Sequence, residues 1–118
     1  MYNKFEELQG KVLKDCIATE DEVIFTILNG EKYKLYHSQN CCESVFIESV
    51  EGHIHDLIGH EILMAEEISN VDEPPLEDSN DSYTWTFYKL ATIKGYVTIR
   101  FFGTSNGYYS ERVDFCKL

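Results

Sequence analysis

The sequence predicts an α+β domain in which antiparallel strands dominate, with an N-terminal hairpin and a C-terminal meander supplying the sheet. One or two short helices are expected between them. Three observations predict this class. Asn29-Gly30 stands directly between the runs Glu22–Leu28 and Glu31–Tyr36, and such a pair favours a two-residue hairpin turn because both positions take positive φ easily. The C-terminal third repeats alternating runs, Tyr83–Thr92, Tyr96–Phe102 and Tyr108–Leu118, separated by Gly95 and by Gly103–Gly107, which reads as three strands in series. Helical spacing is confined to Ile54, Leu57 and Ile58, with Gly59 behind them as a cap.

The other elements follow in chain order. Asn3–Leu8 is short and amphipathic, one helical turn or an irregular arm ahead of Gly10. Lys11–Ala18 reads as a strand, and Glu22–Leu28 and Glu31–Tyr36 as the hairpin, being rich in β-branched and aromatic residues. His37–Glu43 is polar and compact, a turn. Ser44–Val50 alternates as a strand does, and Ile62–Ile68, where periodicity alone does not decide, is assigned as a strand. Asn70–Ser82 carries Pro74-Pro75 and little apolar surface. The residue before a proline is driven out of helical space, so this segment is expected to be a mobile acidic loop over 70–82.

At 118 residues the chain is one domain's worth, 1–118. Its 43% hydrophobic and 14% aromatic content excludes intrinsic disorder over most of its length. No run is apolar enough to span a membrane, and the first residues lack the basic and then apolar pattern of a secretory leader. A cytoplasmic protein with no membrane partner is expected. The net charge of −11 is unevenly spread: between Lys34 and Lys89 there is no Lys or Arg, while twelve acids fall there. A field of that sign repels nucleic-acid backbones and attracts basic protein surfaces. Direct nucleic-acid binding is therefore disfavoured.

Two constellations invite chemistry. His37, Cys41 and Cys42, with His53, His55 and His60, offer zinc-type ligands, but the spacings of known fingers and ribbons are absent. A nucleophile at Cys41 or Cys42 with His37 as base, oriented by Glu43 or Asp56, lacks an accompanying oxyanion-hole segment. No catalytic residue, metal or cofactor is assigned, and Cys41 and Cys42 are expected to be buried, reduced and metal-free. Gly103–Gly107 has the small residues of a phosphate loop but precedes a strand, where such a loop precedes a helix. Tyr83, Trp85 and Phe87 read as core. Tyr88, Tyr96, Tyr108 and Tyr109 are too many to share the interior with them, and exposed tyrosines supply rigid contact area.

The segments Leu35–Ser44 (LYHSQNCCES), Asp56–Glu67 (DLIGHEILMAEE) and Ser82–Phe115 resemble a domain of unknown function widespread in phages and prophages. The resemblance covers nearly the whole chain, with His60-Glu61 standing where the family pattern has a small residue and proline. It implies a phage or mobile-element protein acting in the bacterial host cytoplasm, and carries no established chemistry. The expected function is a non-enzymatic binder that inhibits a bacterial defence component in the manner of anti-CRISPR proteins. Its acidic surface would meet a basic, nucleic-acid-binding host protein through Glu66, Glu67, Asp72, Glu73, Glu77, Asp78 and Asp81. The alternative is a sponge for a nucleotide signal, a homo-oligomer with a pocket at Tyr96, Arg100, Asn106, Tyr108 and Tyr109. A Cys/His metal or enzyme site is the third reading.

Overall fold

Asn29-Gly30 does turn the chain, with Gly30 at φ +95°, and the two strands it joins are β2 (Glu22–Ile27) and β3 (Lys32–Tyr36). They pair antiparallel from Glu22 with Tyr36 to Thr26 with Lys32. β1 (Leu13–Ala18) lies outside β2. The partner on the other side of β3 is β8 (Asp114–Lys117), the last strand of the chain, giving a sheet ordered β1-β2-β3-β8. The remaining strands are β4 (Ser44–Glu51), β5 (Met64–Asn70), β6 (Ser82–Thr92) and β7 (Gly95–Ser105). They form a second antiparallel sheet ordered β4-β7-β6-β5. These relationships come from a computed structural model that describes residues 2–70, 76 and 82–118. The segment expected to be mobile, with Asp72, Glu73, Glu77, Asp78 and Asp81, falls almost wholly outside the described residues.

Three expectations need correction. The fold is β-dominated, but among the described residues there is no α-helix. Phe5–Leu8 and Ile54–Leu57 are single 3-10 turns. The second is too short to propagate because Gly52 and Gly59, at φ +91° and +83°, close it off on both sides. The strands make two sheets where one was expected. The meander also stops after β6 and β7: residues 106–113 leave the second sheet, and β8 adds to the first. Aromatic burial explains that departure. Phe115 stacks on Tyr33 with centroids 5.2 Å apart, and packs edge-on to Phe5 at 5.3 Å and Phe25 at 6.2 Å. Burying one such ring contributes about 1.5–3 kcal/mol. The N-terminal arm locks the strand, as the Asn3 amide donates to the Phe115 carbonyl at 2.7 Å and Asn3 Oδ1 accepts from the Lys117 amide at 2.9 Å.

The core lies between the sheets, with Phe25, Leu35 and Phe115 on one side and Tyr88, Leu90, Ile99 and Phe101 on the other. Cys16 belongs to it, and burial pushes its thiol up to about 12, so it acts as a small hydrophobe. On β6 the inward face is the set Thr84, Thr86, Tyr88 and Leu90, opposite the inward residues of β7. Tyr83, Trp85 and Phe87 therefore lie on the other face of β6, apart from the inter-sheet cluster; Trp85 is buried there as expected, while Tyr83 and Phe87 are half-buried. There Trp85 and Phe102 pack at 4.5 Å, and the Arg100 guanidinium lies 4.9 Å from the Trp85 ring and 5.5 Å from Phe87.

Candidate functional site

Sheets that pack through apolar residues at one end need not do so at the other. Along the inward face of β6 the side chains change from Leu90 and Tyr88 to Thr86 and Thr84. Over those threonines the sheets part, leaving a cleft of about 420 Å³. Its walls are Glu67 and Ser69 from β5, Thr84, Thr86 and Tyr88 from β6, the 110–113 segment, and Tyr2 and Asn3 of the arm. A second cavity of about 280 Å³ shares Tyr2, Ser110 and Arg112 with the first and continues to His37, Glu43 and Asp114. The two adjoin at those shared residues and together are the polar groove.

Each carboxylate along it is held differently. Tyr88 donates its hydroxyl to Glu67 Oε1 at 2.9 Å. Burial and the neighbouring Glu67 charge push that phenol well above its usual range, so it stays a donor. Glu111 accepts from Thr84 Oγ1 at 2.8 Å and from Ser105 Oγ at 2.6 Å. The segment carrying Glu111 can approach β7 this closely because Gly103 lies beneath it. A Cβ at Gly103 would stand 3.0 Å from Glu111 Cβ and 3.2 Å from Val45 Cγ2. Arg112 lies over the Tyr2 ring at 4.8 Å, with Nε 2.9 Å from Asp114 Oδ1. Asp114 is buried, and although Arg112 is within ion-pair distance, Oδ1 accepts no hydrogen bond.

At the far end the 37–43 turn is built around a carboxylate. Glu43, buried, accepts the Cys41 amide at 2.8 Å and the Asn40 amide at 2.9 Å, and its Oε2 lies 2.8 Å from His37 Nε2. The Cys41 amide leads the effects that hold this carboxyl down at about 2. The other His37 nitrogen, Nδ1, is 2.7 Å from the Arg112 carbonyl. Both ring nitrogens of His37 are thus within hydrogen-bond distance of an oxygen held by another part of the fold. Because the turn points its amides inward, its side chains point out. Cys41 and Cys42, expected to be buried and reduced, are exposed and joined to each other as a vicinal disulfide.

The expected site residues that lie among the described residues are dispersed. Glu66 and Glu67, the two acids of the anticipated binding surface among the described residues, are neighbours on β5 and so face opposite sides of the sheet. Glu66 pairs across from Lys89, while Glu67 faces the groove. The anticipated tyrosine pocket is not assembled. Tyr96 sits near the start of β7, whereas Asn106, Tyr108 and Tyr109 lie beyond its other end, some 30 Å away or more at about 3.3 Å per residue. Arg100, between them, is occupied by Trp85 and Phe87 and ion-pairs at 3.8 Å with Glu48 and with Glu51. Sequence reasoning missed Thr84, Thr86, Glu111 and Asp114. The one available signal was the threonine face of β6, polar where its sister positions Tyr88 and Leu90 are not.

A family model described as a domain of unknown function, DUF7448, matches residues 2–115. The chain belongs to that family. No curated protein and no solved structure matches it. Membership brings no assigned activity, so the chemistry of the groove rests on its own residues. Among the described residues no three His, Cys, Asp or Glu side chains are grouped to hold a metal ion, and no helix is long and apolar enough to cross a membrane.

Proposed function

We propose that this domain is a binding module, without catalytic activity, that occupies a basic surface of a partner protein. In the phage or mobile-element setting that the sequence resemblance implies, the partner is a component of the bacterial host's defence, met in the host cytoplasm. The observation that supports this reading most directly is the charge of the groove. Glu43, Glu67, Glu111 and Asp114 line it, against Arg112 and His37. Such a surface disfavours phosphate groups and steers cationic ones toward it. The same geometry argues against a thiol enzyme, since His37 spends both nitrogens on acceptors and neither is left to serve as a base toward Cys41 or Cys42.

The test is capture of partners from host lysate on the immobilised domain, followed by a salt series and competition with DNA. The reading expects a nucleic-acid-binding protein whose retention falls steeply with salt, because charge pairs are screened over about 8 Å at physiological ionic strength, and which DNA displaces. Capture that ignores both salt and DNA overturns it. So does co-purification of a nucleotide with no protein, which would favour the signal-sponge reading.

A further inference from the structure

We infer that the inter-sheet groove is a receptor for a guanidinium group, an arginine side chain presented by the partner. This rests on the proposed function and names the chemistry of the contact. Glu43 lies 2.8 Å from a ring nitrogen of His37, and Asp114 has a cationic neighbour in Arg112. Glu67 and Glu111 have none among the described residues, and are held by the hydroxyls of Tyr88, Thr84 and Ser105 alone. The two therefore bring carboxylates without an ion pair to a cleft of about 420 Å³ that Arg112 also lines and whose floor, Thr86, is itself polar and buried. A polar floor between two packed sheets costs stability that an apolar pair would not. Departures of that kind concentrate where a surface serves binding.

A second, independent feature points the same way. Asp114, which lines the second cavity, is more than nine-tenths buried, and its Oδ1 accepts no hydrogen bond although Arg112 Nε lies 2.9 Å away. Its neighbour Arg112 is itself largely exposed, with its guanidinium lying on Tyr2. In the first cavity the buried polar side chain of Thr86 lies beneath the two carboxylates that have no ion pair among the described residues. A guanidinium carries five donors in a planar fork, answers carboxylates two bonds at a time and is weakly hydrated, so it enters such a site with less loss than an ammonium.

The probe is the peptide acetyl-Gly-Arg-Gly-amide, titrated into isotope-labelled protein and followed by NMR. The control is the same peptide with citrulline, its neutral isostere, in place of arginine. The arginine peptide is expected to shift the amide signals of Ser69, Thr84, Thr86 and Glu111, and the citrulline peptide to leave them in place. Glu67→Gln with Glu111→Gln is expected to weaken binding tenfold or more. Glu67→Asp, which retracts the carboxylate but keeps its charge, gives an intermediate loss in a chain whose other signals are unmoved. Equal shifts from citrulline, or binding undiminished in the double variant, overturn the inference. The lysate experiment separates the two readings. A basic partner still captured by E67Q/E111Q in a salt-dependent way leaves the proposed function standing without the groove. Arginine held in the groove with no basic partner retained does the reverse.

Discussion

Four residues apart on the same face of β6, Leu90 and Thr86 meet opposite fates. Leu90 and its neighbour Tyr88 are sealed between the sheets, where Tyr88 packs on Phe5 at 4.8 Å and on Phe101 at 5.7 Å. Thr86 and Thr84 floor a groove whose walls are carboxylates. One strand thus contributes to the most apolar and to the most polar parts of the inter-sheet space. The difference teaches that the fold is secured at one end only. The aromatic cluster around Phe5, Phe25, Tyr33 and Phe115 packs the sheets together up to the edge of the groove, which Phe115 also lines, and leaves the space beyond it free to carry charge that lowers stability.

The contrast breaks first at the packed end. Phe25 is fully buried, edge-on to Phe5 at 6.1 Å and to Phe115 at 6.2 Å. Phe25→Ala is expected to cost about 3–5 kcal/mol, the usual loss for emptying a buried aromatic site. In a domain of ordinary marginal stability that is a large share of the total. Chemical denaturation at equilibrium reads it directly, and a loss below about 1 kcal/mol would mean that the cluster is not what holds the sheets together.

Gly103→Ala comes next and acts on the boundary between the two regions. The added methyl would press on Glu111 and Val45 at 3.0–3.2 Å, with an expected cost of about 1–3 kcal/mol from overpacking. Because the 110–113 segment must back away from β7, arginine-peptide binding should fall together with stability. Thermal melting and the NMR titration check the two halves separately. A melt that drops while binding stays intact would detach Glu111 from the site.

How far these regions could be read in advance differs between them. The hairpin was legible because Asn29-Gly30 specifies its own turn, and β4, β6 and β7 because their residues alternate. Alternation shows that a strand has two faces without showing which is inside. On β6 both faces are half apolar, and pairing with β7 decides the matter. Val97, Ile99 and Phe101 go inward and bring Leu90, Tyr88 and Thr86 with them, leaving Trp85 and Phe87 on the sheet's other face. The transfer of β8 to the other sheet depends on Phe115 finding Tyr33, 82 positions earlier in the chain, which no local pattern encodes. The groove was illegible for the same reason. It gathers Tyr2, His37, Glu67, Thr84 and Glu111 from five separate segments, each unremarkable on its own. Among the described residues the acid excess, visible as a charge count, does not form one surface, because Glu43 is enclosed in a turn, Glu48 and Glu51 answer Arg100, and Glu66 and Glu67 face opposite ways.

Acid titration probes the far end of the groove. Glu43 is held at about 2, foremost by the Cys41 amide, whereas in the unfolded chain it titrates near the ordinary value of about 4.3. Between those values the unfolded chain binds a proton at this position that the folded one does not, so stability rises with pH there. The contribution is complete above about pH 5 and is lost as pH falls toward 2. Glu43→Gln should flatten that part of the profile. Melting temperatures of both proteins at pH 5.5 and pH 2.5 check it, and an equal drop in the two would place the acid sensitivity elsewhere.

The smallest expected effect on stability belongs to the groove's own carboxylates, and it sharpens the contrast most. Glu67 is exposed and accepts one hydrogen bond, from Tyr88, which a glutamine carbonyl at the same position still accepts. Glu67→Gln is therefore expected to change stability by no more than about 0.5 kcal/mol, as substitutions away from buried networks do. Glu111→Gln exchanges an acceptor oxygen for an NH₂ opposite Thr84 or Ser105, and those hydroxyls can rotate to accept in turn. A cost of about 1 kcal/mol or less is expected for it. Relief of the unpaired charge works in the opposite direction, so the double variant should melt close to the parent while losing its hold on the arginine peptide. Phe25→Ala would then remove the fold, and E67Q/E111Q only its use. If the double variant instead unfolds as readily as Phe25→Ala, these carboxylates are structural. The two ends of the inter-sheet space would then not differ in role, however much they differ in polarity.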